Sequence, residues 1–280
     1  MLYYTLVYCR QTKGCAGEMI VVFEIKDRII GKGMPKICVP VMAADEETLD
    51  KRIEAVLGIS KEAYDCIDII EFRGDFFEGL SDMERITGAL NKLSEKLYDK
   101  IILFTIRSKG EGGEQLSFDK PDINAINRFV IEHKLADMVD IELGSGDEIV
   151  SGLCEAAKAS GVKTIISNHD FYATPDTDEM IDRLVRMERL GGDIAKLAVM
   201  PNDRQDVIRL LMATEEASRT LNIPVVSMSM GKLGAVSRIT GQAFGSAITF
   251  SSVNEASAPG QIPIEYMKTA LWTIDAYCCE

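Results

Sequence analysis

Apolar runs of strand length alternate along the chain with amphipathic stretches of helical period. The apolar runs lie at 37–42, 67–73, 101–107, 138–143, 163–169, 194–199, 225–230 and, more weakly, 247–250. The amphipathic stretches lie between them at 46–57, 83–97, 123–135, 148–159, 179–190 and 205–221, several opened by an Asp or Ser suited to an N-cap. Strand and helix in strict alternation predict right-handed βαβ units with a parallel sheet, and eight such units predict a closed (β/α)8, or TIM, barrel.

Two shorter apolar segments precede the first predicted barrel strand. Residues 21–25 and 28–30 are separated by the charged pair Lys26-Asp27, which predicts a β-hairpin that covers the bottom of the barrel. Residues 1–20 are predicted to be an N-terminal extension, and residues 21–280 a single catalytic domain, because no linker or low-complexity tract interrupts them. An open, doubly wound sheet is the alternative, weakened by the lack of a G-x-G-x-x-G motif after the first strand.

Polar side chains, or in one case a methionine, occur near the carboxyl ends of six consecutive predicted strands. They share a strand face with the apolar residues before them, as Arg107 does with Leu103 and His169 with Ile165. In a barrel these faces point to the lumen, and catalytic groups gather at this end. An unpaired charge buried there loses several kcal/mol of solvation, so the pattern indicates a functional site. Its residues are Glu71, Arg73, Arg107, Asp140, Glu142, His169, Lys196 and Met230.

Lysine and histidine each have a structural and a functional interpretation. Lys196 lies inside an apolar run, either on the outer face with its stem under a helix or in the lumen as a nucleophile. His169 is either a hydrogen-bonded core imidazole or an acid/base group. The other histidine, His133, lies near the end of a polar helix, where a cation suits the helix dipole, and is predicted to be structural.

The arginines also have two interpretations. Arg73 and Arg107 could pair with Glu71 and Glu142 and do nothing else, or they could bind an anion. Asp140 is expected, with Glu142, to support these arginines.

A glycine-rich loop follows the third predicted barrel strand. Its three glycines, between Ser108 and Glu114, would let Glu111 approach the barrel mouth closely, although a plain flexible loop would have the same composition. Phosphate binding is a weaker interpretation, because neither this loop nor residues 231–234 has a P-loop pattern.

Composition and charge narrow the class of protein. A chain of 280 residues with 46% hydrophobic and 27% charged residues is ordinary for a globular domain. A formal net charge of −13 without clustered Lys and Arg argues against a nucleic-acid partner. A nucleic-acid partner is therefore not expected, whereas a small anionic substrate could still be bound where a few cations gather locally.

Cysteine usage and the opening residues bear on location. Seven cysteines, an odd number without C-x-x-C spacing, suit a reducing cytoplasm. Residues 1–8 are apolar but too short to span a bilayer and lack a basic flank, so neither an export signal nor a membrane association is expected.

These strand ends resemble those of type I 3-dehydroquinate dehydratases over most of the chain. Any one motif is weak, but their order and spacing together are specific. They include Glu71-Phe72-Arg73, Thr105-Ile106-Arg107, Glu111-Gly112-Gly113-Glu114, Ser167-Asn168-His169-Asp170-Phe171, Lys196-Leu197-Ala198-Val199-Met200-Pro201, Met228-Ser229-Met230, Ser237-Arg238 and Ser257-Ala258-Pro259-Gly260-Gln261. The departures are residues 1–20, which the pattern does not cover, and Pro40, where some relatives carry Ser.

The resemblance implies a syn elimination of water from 3-dehydroquinate in the shikimate pathway, without cofactor or metal, in a homodimer. Lys196 would form the Schiff base, His169 would transfer protons and Glu111 would orient His169. Arg238 would bind the substrate carboxylate, and residues 251–261 would form a lid. The pocket would be completed by Glu71, Arg73, Arg107, Met230, Phe250, Ser257 and Gln261.

Three other functions remain open on the residues alone. A Schiff-base aldolase would share the lysine but commonly uses carboxylate or Tyr acid/base groups. A divalent-metal isomerase or hydrolase would use Glu71, Asp140, Glu142 and His169 as ligands. A non-catalytic barrel that binds a small acid would bury the lysine and histidine without need.

Overall fold

The structure, a computed structural model, describes residues 22–114, 123–254 and 257–278. The strands are β1 Phe23–Ile25, β2 Arg28–Ile30, β3 Lys36–Val41, β4 Ile69–Arg73, β5 Ile101–Thr105, β6 Met138–Glu142, β7 Lys163–Asp170, β8 Ile194–Val199, β9 Val225–Ser229, β10 Ile248–Ser252 and β11 Ile262–Pro263. The predicted extension, residues 1–20, lies outside the described residues.

Strands β3 to β10 form the predicted barrel. Each pairs in parallel with the next from β3 to β9, and β10 pairs in parallel with β3. Between β9 and β10 the ring closes through a parallel bridge of Val225 with Ser246, where Ala247 N donates to Val225 O at 2.8 Å. The alternative of an open, doubly wound sheet is therefore wrong.

The helices cover the outside of this ring. They are α1 Glu46–Leu57, α2 Lys61–Tyr64, α3 Met83–Lys96, α4 Ile123–Glu132, α5 Asp147–Ser160, α6 Thr177–Arg189, α7 Arg204–Thr220, α8 Gly231–Thr240 and α9 Ile264–Cys278. Asp side chains cap the N-termini of three of them, Asp45 at α1, Asp82 at α3 and Asp203 at α7. The six predicted helices are confirmed to within about three residues at each end. No helix in the described part of the chain is both long and apolar enough to cross a membrane.

Helix α8 was not among the six predicted helices, and its first turn contains two glycines, Gly231 and Gly234. Glycine disfavours an isolated helix by about 1 kcal/mol relative to alanine. Here the packing requires it, since a Cβ on Gly234 would lie 2.4 Å from the carbonyl carbon and oxygen of Ser229. Glycine lets α8 pack directly against the end of β9, and this close approach decides the local structure.

The apolar residues divide into two buried clusters. The larger lies between the barrel wall and the helices. The smaller fills the lumen, with Ile69, Leu103, Ile165 and Ile194 among its members, each with 0% exposure. These are the residues that precede the polar strand ends on the same faces, so the predicted alternation along the strands is confirmed.

The N-terminal hairpin closes the bottom of the barrel, as predicted. Lys26 and Asp27 form its turn with φ of 47° and 63°, the left-handed geometry of a tight hairpin. Ile30 enters the luminal cluster from below with 0% exposure. Lys26 Nζ lies 2.8 Å from Asp137 and Arg28 Nε 3.3 Å from Asp68, two carboxylates that directly precede barrel strands.

Candidate active site

Lys196 of β8 points into the lumen near its upper end, and the alternative of an outward-facing lysine is wrong. Its residue exposure is 3%. Nζ lies 3.1 Å from Asp140 Oδ2 and 4.5 Å from the centroid of the Phe250 ring. A carboxylate and an aromatic face therefore hold the amine inside the mouth of the barrel.

Asp140 of β6 connects this lysine to an arginine. Its side chain is fully buried; Oδ1 accepts from Ser167 Oγ at 2.6 Å and lies 2.9 Å from Arg107 Nη2. Burial by itself would raise the pKa of Asp140, but Arg107 and Lys196 lower that pKa well below its usual range. The carboxyl group is an anion shared by two cations. The sequence predicted its support of an arginine but not its contact with Lys196.

Arg107 follows β5 and lies at the centre of the charged network. Nη1 donates to Glu142 Oε1 at 3.1 Å and to Ser167 Oγ at 2.9 Å, and it lies 3.7 Å from Glu111 Oε2. The expected pairing with Glu142 is therefore present. The guanidinium also contributes positive charge to the cavity.

His169 of β7 is bonded to Glu111, which projects from the short helical turn after β5. His169 Nδ1 lies 2.8 Å from Glu111 Oε2, and the His169 backbone N–H donates to the same oxygen at 2.9 Å. Asn168 Nδ2 donates to Oε1 at 3.2 Å. With donors at both of its oxygens, Glu111 acts as an acceptor, so Nδ1 carries the imidazole proton and Nε2 keeps its lone pair.

Electrostatics keep this imidazole uncharged at neutral pH. Burial, followed by the positive charges of Arg107 and Lys196, lowers the pKa of His169 well below its usual value. Burial, followed by the negative charge of Glu142, raises the pKa of Glu111 to about 7. A neutral imidazole beside a carboxylate can take up a proton and then be stabilised as the cation.

Arg73 of β4 pairs with Asp75 rather than with Glu71, the partner that the structural interpretation considered. Arg73 Nε and Nη2 donate to the two oxygens of Asp75 at 2.8 and 2.7 Å. Glu71 accepts from Thr105 Oγ1 at 2.9 Å instead. Strand geometry explains the difference, because the chain turns into a short 3-10 helix after Arg73 and brings Asp75 back over the strand end.

Asp75 is a residue that sequence reasoning missed. Its buried carboxylate also accepts from the backbone N–H groups of Arg107 at 3.3 Å and Glu114 at 3.2 Å. It therefore ties Arg73 to both ends of the loop that carries Glu111. An acidic residue two positions after a polar strand end was the available signal.

Arg238 of α8 is buried and faces the same cavity. Nη2 donates to Pro259 O at 3.3 Å, Nη1 lies 3.5 Å from Met228 Sδ, and Nε has no hydrogen-bond partner among the described residues. No carboxylate within 22–114, 123–254 and 257–278 forms a salt bridge with it. Burial lowers the pKa of Arg238 to about 10. A buried guanidinium in this state is suited to an anionic ligand.

The loop after β10 closes one side of the mouth. Ser257 N donates to Gln261 Oε1 and Gln261 Nε2 donates to Ser257 Oγ, both at 2.8 Å. The predicted lid started too early, because residues 251 and 252 belong to β10 and Ser251 Oγ donates to Ile262 O. Residues 255 and 256 lie outside the described part of the chain.

The predicted catalytic and substrate-binding residues line one cavity at the carboxyl ends of the barrel strands, whereas Asp140 and Glu142 do not line it and instead pair with Arg107. Five further residues that were not predicted as site residues line the cavity as well, namely Gly112, Phe171, Ala198, Met228 and Ala258. Phe171 is accommodated by Gly112, where φ is 83° and a Cβ would lie 2.2 Å from the ring. Within the described ranges, no group of three or more His, Cys, Asp or Glu side chains is placed to hold a metal ion.

A (β/α)8 barrel with a buried lysine, a neutral histidine and an unpaired arginine around one cavity defines the class of barrel enzymes that act on small anionic substrates. Comparison with known proteins identifies one family. A model described as type I 3-dehydroquinase matches residues 37–277. The chain belongs to the type I 3-dehydroquinase family.

Individual relatives agree with this assignment. A 3-dehydroquinate dehydratase of Bacillus subtilis (strain 168) is 42% identical over 251 residues, which cover 89% of this chain and 96% of the relative. The crystal structure of 3-dehydroquinate dehydratase from Geobacillus kaustophilus HTA426 has a TM-score of 0.86 at 36% identity, covering 92% of this chain and 98% of the other. The type I enzyme of Clostridium difficile, solved with covalently modified comenic acid, has a TM-score of 0.85 at 38% identity, covering 92% and 99%. The chain is a hydro-lyase of the shikimate pathway that dehydrates 3-dehydroquinate.

Proposed function

We propose that the dehydration proceeds through an imine on Lys196, with His169 as the acid/base group and Glu111 as the residue that orients it. The observation that carries this proposal is the presence of the lysine amine and the neutral imidazole on one cavity, each held by its own carboxylate. Asp140 holds Lys196 at 3.1 Å, and Glu111 holds His169 at 2.8 Å.

The imine supplies the electron sink for the reaction. The ammonium group of Lys196 releases a proton, and the neutral amine attacks the ketone. That proton leaves with the carbonyl oxygen as water, and a protonated imine remains. Removal of a proton from the neighbouring carbon then sends its electron pair to the imine nitrogen and gives a neutral enamine. Asp140 Oδ2 is positioned to accept the remaining N–H of the imine and to balance its charge.

His169 carries the proton between two positions on one face of the substrate. Nε2 takes the proton from the carbon next to the imine, and the imidazolium returns it to the leaving hydroxyl group, which departs as water. Because one group serves both steps, the elimination is syn. Glu111 accepts from Nδ1 throughout and stabilises the imidazolium. Hydrolysis then releases the product and restores the amine.

Substrate binding rests on the charges around the cavity. Arg238 binds the carboxylate, because it is buried without an anionic partner and offers a bidentate guanidinium. Glu71, Arg73 and Arg107 supply polar contacts to the hydroxyl groups. Met230, Phe250, Ser257 and Gln261 complete the pocket, and the segment that contains Ser257 and Gln261 acts as the lid that excludes water.

We also infer the setting in which the enzyme works. A single domain from residue 21 to 280 is supported by the family match over residues 37–277. The described cysteines are all free, at Cys38, Cys66, Cys154 and Cys278, as suits a cytoplasmic enzyme. A homodimer is the proposed assembly, and light scattering after gel filtration measures it directly.

Covalent trapping tests the proposed chemistry. Wild type, Lys196→Ala and Lys163→Ala are each incubated with 3-dehydroquinate and sodium borohydride, and their intact masses are measured. Lys163, which pairs with Asp193 at the bottom of the barrel, is the matched control. An adduct is expected on wild type and Lys163→Ala but not on Lys196→Ala. Equal trapping of Lys196→Ala would remove the lysine from its role.

The histidine has its own test. His169→Ala is expected to form the reducible adduct but to lose dehydration activity by at least about 10²-fold, as for a general base. His133→Ala is the control and should retain activity, because His133 directly follows the outer helix α4. Wild-type activity in His169→Ala would assign the proton transfers to another group.

A further inference from the structure

Glu111 receives a third hydrogen bond that does not come from His169. Asn168 Nδ2 donates to Glu111 Oε1 at 3.2 Å, while both N–H groups of His169 lie on Oε2. The two carboxylate oxygens are thus held by different donors. Asn168 is partly buried and directly precedes His169 on β7, so one stretch of strand binds both sides of the carboxylate.

The orientation of the Asn168 amide is set from outside the cavity. Arg183 of α6 donates Nη1 to Asn168 Oδ1 at 2.8 Å. An amide has one acceptor and one donor end, so a guanidinium on Oδ1 leaves the NH₂ group for Glu111. The reversed amide would place an oxygen against the carboxylate. Arg183 is itself paired with Glu179, one turn earlier on the same helix.

We propose that Asn168 and Arg183 are positioning residues for the reaction: Arg183 fixes the direction of the Asn168 amide, and this amide fixes Glu111 as an ionised acceptor for the His169 imidazole. The proposal rests on the roles assigned above to Glu111 and His169. It extends the active site from the cavity to a side chain of an outer helix.

The hydrogen bond from Asn168 affects the ionisation of Glu111 because other charged groups surround this carboxylate. The groups that face the Glu111–His169 pair are Arg73 from β4, Arg107 after β5, Asp140 and Glu142 from β6, Lys196 from β8 and, through Asn168, Arg183 from α6. Glu142 and Asp140 disfavour the ionised form of Glu111, and the Asn168 hydrogen bond favours it. Arg107, at 3.7 Å, acts on this carboxylate without a short hydrogen bond. Asn168 is therefore a neutral donor that opposes two neighbouring anions.

Removing this donor should raise the pH above which the Glu111–His169 pair is in the protonation state that supports catalysis. In Asn168→Ala, the rising limb of the kcat/KM pH profile is expected to move upward by about half to one pH unit, the size of one hydrogen bond to a carboxylate. Arg183→Met should move it in the same direction by less, because the amide remains but is free to reverse. Arg183→Lys, which keeps a donor for Oδ1, should restore the wild-type profile.

Titration of the imidazoles gives a readout that does not depend on turnover. The chain has two histidines, so the ring signals of His169 and His133 can be assigned by NMR with a His133→Gln variant. The titration of the His169 signal should shift in Asn168→Ala and Arg183→Met and leave the His133 signal in place. If trapping shows no imine in wild type while this shift is present, the proposed chemistry fails and the positioning role stands.

The matched control lies on the same helix. Arg186→Met removes an arginine three residues further along α6, where it pairs with the exposed Asp147. It should leave both the pH profile and the His169 titration unchanged. The proposal is overturned if Asn168→Ala has the wild-type profile and titration, or if Arg186→Met shifts them as much as Arg183→Met does.

Discussion

Asp140 forms ion pairs with two buried cations, Lys196 and Arg107. Replacement of Asp140 by Asn keeps the shape of the side chain and removes its charge, so Lys196 and Arg107 would share an uncharged neighbour. Removal of one partner from a buried ion pair typically costs about 3–5 kcal/mol. Asp140→Asn is expected to lower the free energy of unfolding by about 3 kcal/mol in urea and activity by about 10²-fold.

The control for this prediction is an exposed aspartate that also forms an ion pair with an arginine. Asp147→Asn removes the exposed partner of Arg186 and should change stability by less than about 1 kcal/mol. Equal stability of Asp140→Asn and wild type would mean that the buried charge is compensated in another way.

Glu111 is expected to make stability depend on pH in the direction opposite to an ordinary paired carboxylate. Its folded-state pKa is raised to about 7, above the usual value near 4.5. The contribution of this group to stability is complete below about pH 4.5 and is lost as the pH rises towards 7. In Glu111→Gln the side chain cannot ionise, so the variant should gain about 1–3 kcal/mol relative to wild type between pH 5 and pH 8.

Urea unfolding at those two pH values measures the difference. The Gln amide loses a good acceptor for Asn168 or His169, so the variant starts at a disadvantage at pH 5, and only the change with pH carries the prediction. Glu148→Gln, an exposed position on α5, serves as the reference for a glutamate without this environment. A difference between Glu111→Gln and wild type that does not change with pH would contradict the raised pKa.

At the scale of single residues, the sequence predicted which side chains enter the mouth of the barrel but not all of their hydrogen-bond and ion-pair partners. The alternation of side chains along a strand placed Glu71, Arg107 and Lys196 correctly on the luminal face. Partners across strands depend on register and on the turns that follow each strand. Arg73 is bonded to Asp75 rather than Glu71 for this reason, and Lys196 is bonded to Asp140 from two strands away.

The loop between β5 and α4 is the element that places Glu111, and its glycines have different roles. A Cβ on Gly113 would lie 1.9 Å from Arg107 O, whereas a Cβ on Gly110 would meet its nearest atom at 3.9 Å. Gly113→Ala therefore has to move the loop away from Arg107 and shift Glu111 off His169. It is expected to lower kcat by at least tenfold, because small displacements of catalytic groups are costly.

Gly110→Ala is the matched control in the same loop and should keep activity within about twofold. Steady-state kinetics of the two alanine variants and wild type measure the expected difference in kcat. Similar kcat values for all three would show that close packing against Arg107 O does not position the loop.

Helix and strand positions were predictable where periodicity was regular, and they failed where packing overrode local preference. Helices α1 and α3 to α7 have apolar stripes that face the barrel wall, and their bounds follow the pattern. Helix α8 has two glycines near its start, and only the contact of Gly234 with Ser229 explains why glycine is needed there. Local propensity is a weak guide at such close approaches.

For the whole molecule, stability and catalysis are expected to separate between the two ends of the barrel. Ile30 enters the lumen from the hairpin at the bottom with 0% exposure, whereas Ile29 is 41% exposed. Ile30→Ala should lower the free energy of unfolding by about 2–4 kcal/mol, the range for buried aliphatic truncations. Because the cavity lies at the opposite end, kcat of the folded variant should stay near wild type.

Ile29→Ala is the control, with an expected change below about 1 kcal/mol. Urea unfolding and steady-state kinetics on the same preparations distinguish the two effects. A large loss of kcat in Ile30→Ala at temperatures where it is fully folded would mean that the bottom of the barrel is coupled to the mouth.

The amino-acid sequence alone was sufficient for the eight-strand barrel and the hairpin beneath it, because periodicity and strand alternation are local properties. The roles of Glu111, Arg238, Phe250, Ser257 and Gln261 were expected only from the resemblance to the family. The ion pairs of Asp140 with Arg107 and Lys196, the hydrogen bonds of Asp75 with the loop after β5 and the link from Arg183 through Asn168 to Glu111 depend on distances between segments far apart in the chain. Such distances arise only when the sheet closes and fixes its register. The chemistry of each group follows from its residue type, whereas its charge state and its partner follow from that closure.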